Sequence, residues 1–95
     1  VKVTETSADL ALLLALISSF RNRPLPQDLV VFGEVGLAGE IRPVPSGQER
    51  ISEAAKHGFK RAIVPFGNKP KHAVENMQVF TVKKLVDALG ILDSL

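Results

Sequence analysis

Cysteine is absent from the chain, which excludes disulfides and any thiolate zinc site and suits a reducing cytoplasm. Histidine is scarce: His57 and His72 stand far apart with no repeated spacing, so no metal centre is expected. The longest apolar run, Leu10 to Ile17, has eight residues, well short of the roughly 20 that cross a bilayer, and no membrane partner is expected. The opening VKVTETS has neither a methionine nor a basic segment ahead of an apolar stretch, so it does not read as a signal peptide. It reads instead as part of a strand, and we expect a domain cut from a longer protein. No internal repeat is visible.

What is present is ordinary for a folded domain. The 95 residues are 45% apolar and 23% charged, enough for one modest core and unlike a disordered chain. A net charge of +2 names no partner by itself. Its distribution is more informative. Residues 1–48 carry four basic and five acidic side chains, whereas residues 49–95 carry eight and five. Between Lys56 and His72 stand Lys56, Lys60, Arg61, Lys69 and Lys71, with no carboxylate among them.

VKVTE alternates apolar and polar residues and reads as a strand. Thr6 and Asp9 have the spacing of a capping box ahead of a helix over Ala8 to Arg21. That helix is apolar on nearly every side and is therefore expected to be buried all round, by a sheet on one side and by other elements or another subunit on the other. RPLPQD is a loop by its prolines. DLVVFGEV and EIRPV, joined by the glycine-marked turn GLAG, read as a hairpin. Pro43 and Pro45 end it, Ser46 is placed to cap the helix SGQERISEAAKHG, and Gly58 to close that helix. RAIVPF then reads as a short buried strand, GNKPKHAVEN as a polar loop, MQVFTV as a strand and KKLVDALGIL as a final helix. The order strand, helix, hairpin, helix, strand, strand, helix predicts one α/β domain over residues 1–95 with a mixed sheet.

The residues that carry chemistry are few. Gly33, Gly36 and Gly39 do not form G-x-G-x-x-G, and no Gly-Lys-Ser/Thr follows, so turns and a close backbone approach explain them better than a phosphate loop. Glu49 and Glu53 share a helix face, which a solvated surface explains. His57, next to a helix-ending glycine, is placed to interact with terminal carbonyls, and Lys83 and Lys84 read as solvated. The basic window remains. Clustered cations are what phosphate binding needs, and Lys56, Lys60, Arg61, Lys69 and Lys71 are the candidate nucleic-acid contacts, with Arg21, Arg23 and Arg42 next. Phe59 and Phe66 read as core, so base stacking is not indicated.

The run F-G-E-V-x-L-x-G-x-I-x-P-V, Phe32 to Val44, is similar to the signature of the proteolytic domain of Lon peptidases. T-S-A-D-L-A, Thr6 to Ala11, falls where that family has its serine motif P-S-A-G. The helix after the hairpin and G-F-K-R-A-I-V-P, Gly58 to Pro65, agree with the family as well, so the resemblance covers nearly the whole chain. It is closest to the Lon-like carboxy-terminal domain of a bacterial family of RecA-related DNA-repair ATPases. The resemblance implies the Lon proteolytic-domain fold, of ribosomal protein S5 domain 2-like type, in a carboxy-terminal fragment whose ATPase domain lies elsewhere.

Lon peptidases use a serine and a lysine, the amine taking the proton of the hydroxyl. Ser7 stands in the serine position, but the lysine position, four residues after the Pro-Val that ends the hairpin, is Gln48. An amide has no useful basicity near neutral pH, Arg50 stays protonated, and Lys56 lies two helical turns away. Asp9 also replaces the family's glycine, placing a carboxylate near the oxyanion position, where it opposes developing negative charge. Ser7 and Gln48 are thus expected to be vestigial, with no catalysis, cofactor or metal in this domain. The resemblance implies ATP and Mg in the missing ATPase domain, a ring of six subunits acting on duplex or branched DNA, the recombinase RecA as a further partner, and a cytoplasmic location. An active Ser-Lys peptidase and a pure oligomerisation scaffold are the alternatives.

Overall fold

The computed structural model describes residues 8–95; the VKVTE strand, Thr6 of the capping box and Ser7 lie outside the described residues. The elements are α1 (Asp9–Phe20), β1 (Leu29–Val31), β2 (Glu34–Val35), β3 (Ile41–Arg42), α2 (Gly47–Lys56), β4 (Arg61–Pro65), a 3-10 turn (Phe66–Asn68), β5 (Gln78–Val82) and α3 (Leu85–Ser94). β1, β4 and β5 form a parallel sheet with β4 in the middle, and β2 and β3 form a separate antiparallel pair. The fold is a mixed α/β one. No helix among the described residues is long and apolar enough to cross a membrane.

The central strand explains the layering. A strand in the middle of a parallel sheet is covered on both faces and reads as a continuous apolar run, as in Ala62-Ile63-Val64, all buried. Ile63 joins Leu10 and Leu14 of α1, Val82 of β5 and Ala88 of α3 in one cluster. Ala62 and Val64 face the other way and join Phe32, Val44 and Ile51 of α2 in a second. Thus α1 and α3 cover one face of the sheet and α2 the other. Burying a side chain such as Ile63, Leu14 or Ile51 contributes about 1.5–3 kcal/mol.

Three sequence expectations need correction here. DLVVFGEV is not one hairpin strand. Leu29–Val31 pairs in parallel with Arg61–Ile63, the chain breaks at Gly33, and only Glu34–Val35 pairs with Ile41–Arg42 in the hairpin. Gly33 permits the break: its φ is +153°, and a Cβ there would sit 3.2 Å from Ile41 and Pro65 and 3.3 Å from Leu10. Its carbonyl accepts the Leu10 N–H at 2.9 Å, fastening the start of α1 to the end of β1.

Second, α1 is not buried all round by elements of this chain, which leaves another subunit as the cover expected for its outer side. Leu10, Leu14 and Ser18 are buried, while Leu12, Leu16 and Phe20, two residues further round, are 68%, 55% and 84% exposed. The helix lies in an outer layer, so no described element covers that stripe. It also starts after Ala8, its N-cap residue, which makes Asp9 the first helical residue and not the third that a Thr6 cap requires.

Third, Ser46 precedes α2 but makes no side-chain capping bond, because its backbone is left-handed (φ 60°) and an N-cap hydroxyl needs an extended backbone to reach the free N–H groups. Gly58 does close α2 as expected, with φ +90°. The His57 ring, however, turns to Glu53 Oε1 at 3.2 Å instead of the terminal carbonyls. At α3 the free N–H groups of Lys83 and Lys84 donate to Asp87 Oδ2 at 3.3 and 3.1 Å.

Candidate nucleic-acid interface

In open parallel sheets, ligand sites lie beyond the carboxyl ends of the strands. Here that end is formed by Phe32–Gly33 after β1, the 3-10 turn after β4 and Lys83 after β5. Asn68 ties it together. Its Oδ1 accepts the Val44 N–H at 2.8 Å and its Nδ2 donates to the Val44 carbonyl at 2.9 Å, so one side chain satisfies both backbone groups of a buried residue. Gly47 packs against the same amide, leaving no room for a Cβ. The start of α2 is thereby held against the 3-10 turn.

Gln48 is exposed on that first helical turn. It lines an open groove of about 340 Å³ with Gly67, Asn68, Lys69 and Lys71. The same two lysines also line a second groove of about 530 Å³, which runs past His72 and Val74 to Val79 and Thr81 of β5. No carboxylate lines either groove. Of the five sequence candidates, Lys69 and Lys71 are therefore the two that line these grooves, and they share one of them with Gln48.

The other three sit at the opposite end of the sheet. Lys56 is the last residue of α2, and the Lys60 N–H donates to the Asp28 carbonyl at 3.0 Å. The five residues of β4 put about 13 Å between the two ends, at roughly 3.3 Å per residue. Lys56, Lys60, Arg61, Lys69 and Lys71 do not share one edge.

Arg61 also has a structural partner: its Nη2 donates to Asp28 Oδ1 at 2.7 Å. That hydrogen bond is the main reason the Asp28 carboxyl is held below the ordinary aspartate range, with the charges of Arg61 and Lys60 adding to it and partial burial opposing it. A lowered carboxyl pKa means that the pairing stabilises the fold above the ordinary aspartate range and that this contribution is lost as pH falls through the lowered value.

The reserve cations are engaged too. Arg21 and Arg23 approach Asp93 Oδ1 at 2.7 and 3.8 Å, and Arg42 bridges Glu40 at 2.7 Å and Glu34 at 3.3 Å. The bond from Arg42 is the largest cause of a lowered Glu40 carboxyl pKa, and the two carboxylates, Glu40 foremost, raise the guanidinium's own. This trio stiffens the hairpin beneath the fully exposed Leu37.

Sequence reasoning missed two residues at the carboxyl end. Phe66 is 48% exposed, not core, and Lys83 is not merely solvated: its Nζ lies 4.5 Å from the Phe66 ring centroid. The available signal was Pro65, which ends the buried strand one residue before the ring.

The chain is 93% identical over all 95 of its residues to DNA repair protein RadA of Haemophilus influenzae, covering 21% of that protein. It is 81% identical over 95 residues to DNA repair protein RadA of Escherichia coli, again covering 21%. With DNA repair protein RadA of Aquifex aeolicus it shares 40% identity over 90 residues, 95% of this chain and 20% of the relative. It thus spans about a fifth of the length of these curated relatives. The similarity to the RadA proteins is strong along this segment. A family model described as subunit ChlI of Mg-chelatase matches residues 1–68, well over half of the chain, and the chain belongs to that family.

Proposed function

We propose that this chain is a Lon-like domain without peptidase chemistry, part of a DNA-repair ATPase, which supports ring assembly and binds DNA independently of sequence. The observation that carries the reading is the pairing of Lys69 and Lys71 on an open groove beside Gln48, with no carboxylate in its lining. Cations so placed neutralise phosphates and release counterions without reading bases. Lys56 and Lys60, at the other end of the sheet, extend the contact along the backbone. The similarity to DNA repair protein RadA supports DNA as the partner. In this reading ATP and Mg belong to the rest of the full-length protein, a DNA-dependent ATPase, and RecA is a partner of the whole, in the cytoplasm.

Ring assembly draws on the uncovered Leu12, Leu16 and Phe20 stripe. Contacts between neighbours in a closed ring are heterologous, so one change disrupts every interface. Replacing Leu16 and Phe20 with glutamate should therefore shift the full-length protein from oligomer to monomer in sedimentation velocity, and an unchanged distribution would remove the stripe from the interface.

A specific observation keeps the peptidase reading as the second one: Lys69 and Lys71, whose side chains carry amines, line the same groove as Gln48. Against it, Lys56 lies at the far end of α2, and Arg50 Nε is directed to the Pro45 carbonyl at 3.0 Å. The expected result with a fluorophosphonate probe is no labelling of the protein, as befits a serine without a base. Stoichiometric labelling at Ser7, lost on changing Lys69 or Lys71, would reverse the order of the two readings.

A further inference from the structure

We propose that Phe66 is a stacking platform for an unpaired nucleobase, and that the carboxyl end of the sheet therefore takes single-stranded DNA more tightly than duplex. This rests on the DNA contact proposed above and specifies which form of DNA it engages.

The ring is exposed yet held. Phe66 opens the 3-10 turn directly after β4, and the Lys69 N–H donates back to its carbonyl at 3.1 Å, which keeps the lysine one turn from the ring. Gly67 packs closely against Pro43, and Asn68 is fastened to Val44 by two hydrogen bonds. The turn is thus positioned by a rigid scaffold, as a preorganised platform requires. Over the ring lies the Lys83 ammonium at 4.5 Å, within cation–π range.

The surrounding charge fits a polyanion. Lys69, Lys71 and Lys83 are exposed. Of the carboxylates nearby, Asp87 accepts the backbone N–H groups of Lys83 and Lys84, and Glu40, whose backbone bridges to Lys84, has its carboxylate on Arg42. An aromatic face among cations is the arrangement by which proteins hold single strands: bases stack on the ring and phosphates meet the lysines, with little sequence preference. Bases inside a duplex are stacked on each other and cannot reach the ring. An unpaired base can.

The test is fluorescence anisotropy of the full-length protein with labelled oligothymidylate, a duplex and oligouridylate, under conditions without nucleotide. Phe66→Ala should weaken oligothymidylate binding about thirtyfold, the middle of the range for loss of one base–aromatic stack, and leave duplex affinity unchanged. Phe66→Trp should restore single-strand affinity, with indole emission quenched on binding. Equal loss on both DNA forms, or none on either, overturns the platform while leaving phosphate contact by Lys69 and Lys71 standing. Binding of neither DNA form by the unmodified protein overturns both proposals. Tighter binding of oligouridylate than of oligothymidylate overturns the assignment to DNA.

Discussion

Reversing Lys69 and Lys71 to glutamate is expected to lower duplex affinity about a hundredfold at 0.1 M salt, since each phosphate contact contributes roughly one unit of log–log salt slope. The two side chains share a groove, so removing both abolishes one local contact instead of thinning a dispersed one. The slope itself should become shallower by about two units. Stability should hardly change, because exposed charges contribute little to it. Reversing Lys60, at the far end of β4, should have a smaller effect. Arg61 is a poor choice for the same experiment, since its loss also breaks the bond to Asp28.

The second large effect concerns Gly33. Gly33→Ala is expected to destabilise the fold by about 2–4 kcal/mol, combining a left-handed backbone that alanine resists with overpacking against three neighbours. The neighbours are Ile41, Pro65 and Leu10, all within 3.3 Å of the new methyl group. For a domain of this size the melting temperature should fall by about 10–25 °C. Because Gly33 also accepts the Leu10 N–H, the start of α1 should lose hydrogen-exchange protection first. An alanine variant that melts within a few degrees of the parent would show that the β1–β2 break tolerates a side chain.

What could be read in the chain beforehand follows from the range of each interaction. α1, α2, β4, β5 and α3 were legible because periodicity, helix stops and turn residues act within a few positions. The split of DLVVFGEV was not, since the partner that claims Leu29–Val31 is Arg61–Ile63, 32 residues further on, and its apolar run looks the same in a hairpin or a parallel sheet. The exposure of Leu12, Leu16 and Phe20 was equally hidden. Apolar residues on every side of a helix state what it prefers to meet, not whether something is there.

The basic window failed as a single patch for a related reason. Neighbours in sequence stay neighbours in space only when no regular element intervenes, and β4 runs between Lys60 and Lys69, carrying them to opposite ends of the sheet. Ser46 had the right type for a cap but the wrong backbone, and Phe66 had the composition of core but sat beyond a strand that ended at Pro65. The helix start after Pro45, by contrast, was legible: Gln48 stands on the first turn of α2, beside the groove at the carboxyl end of the strands.

The most direct measurement is equilibrium binding of the full-length protein to two duplexes of unrelated sequence across a range of salt. Sequence-independent phosphate contact predicts equal affinities and parallel lines that fall steeply with salt. Binding to only one of the two duplexes, an affinity that does not respond to salt, or no binding at low salt would contradict it.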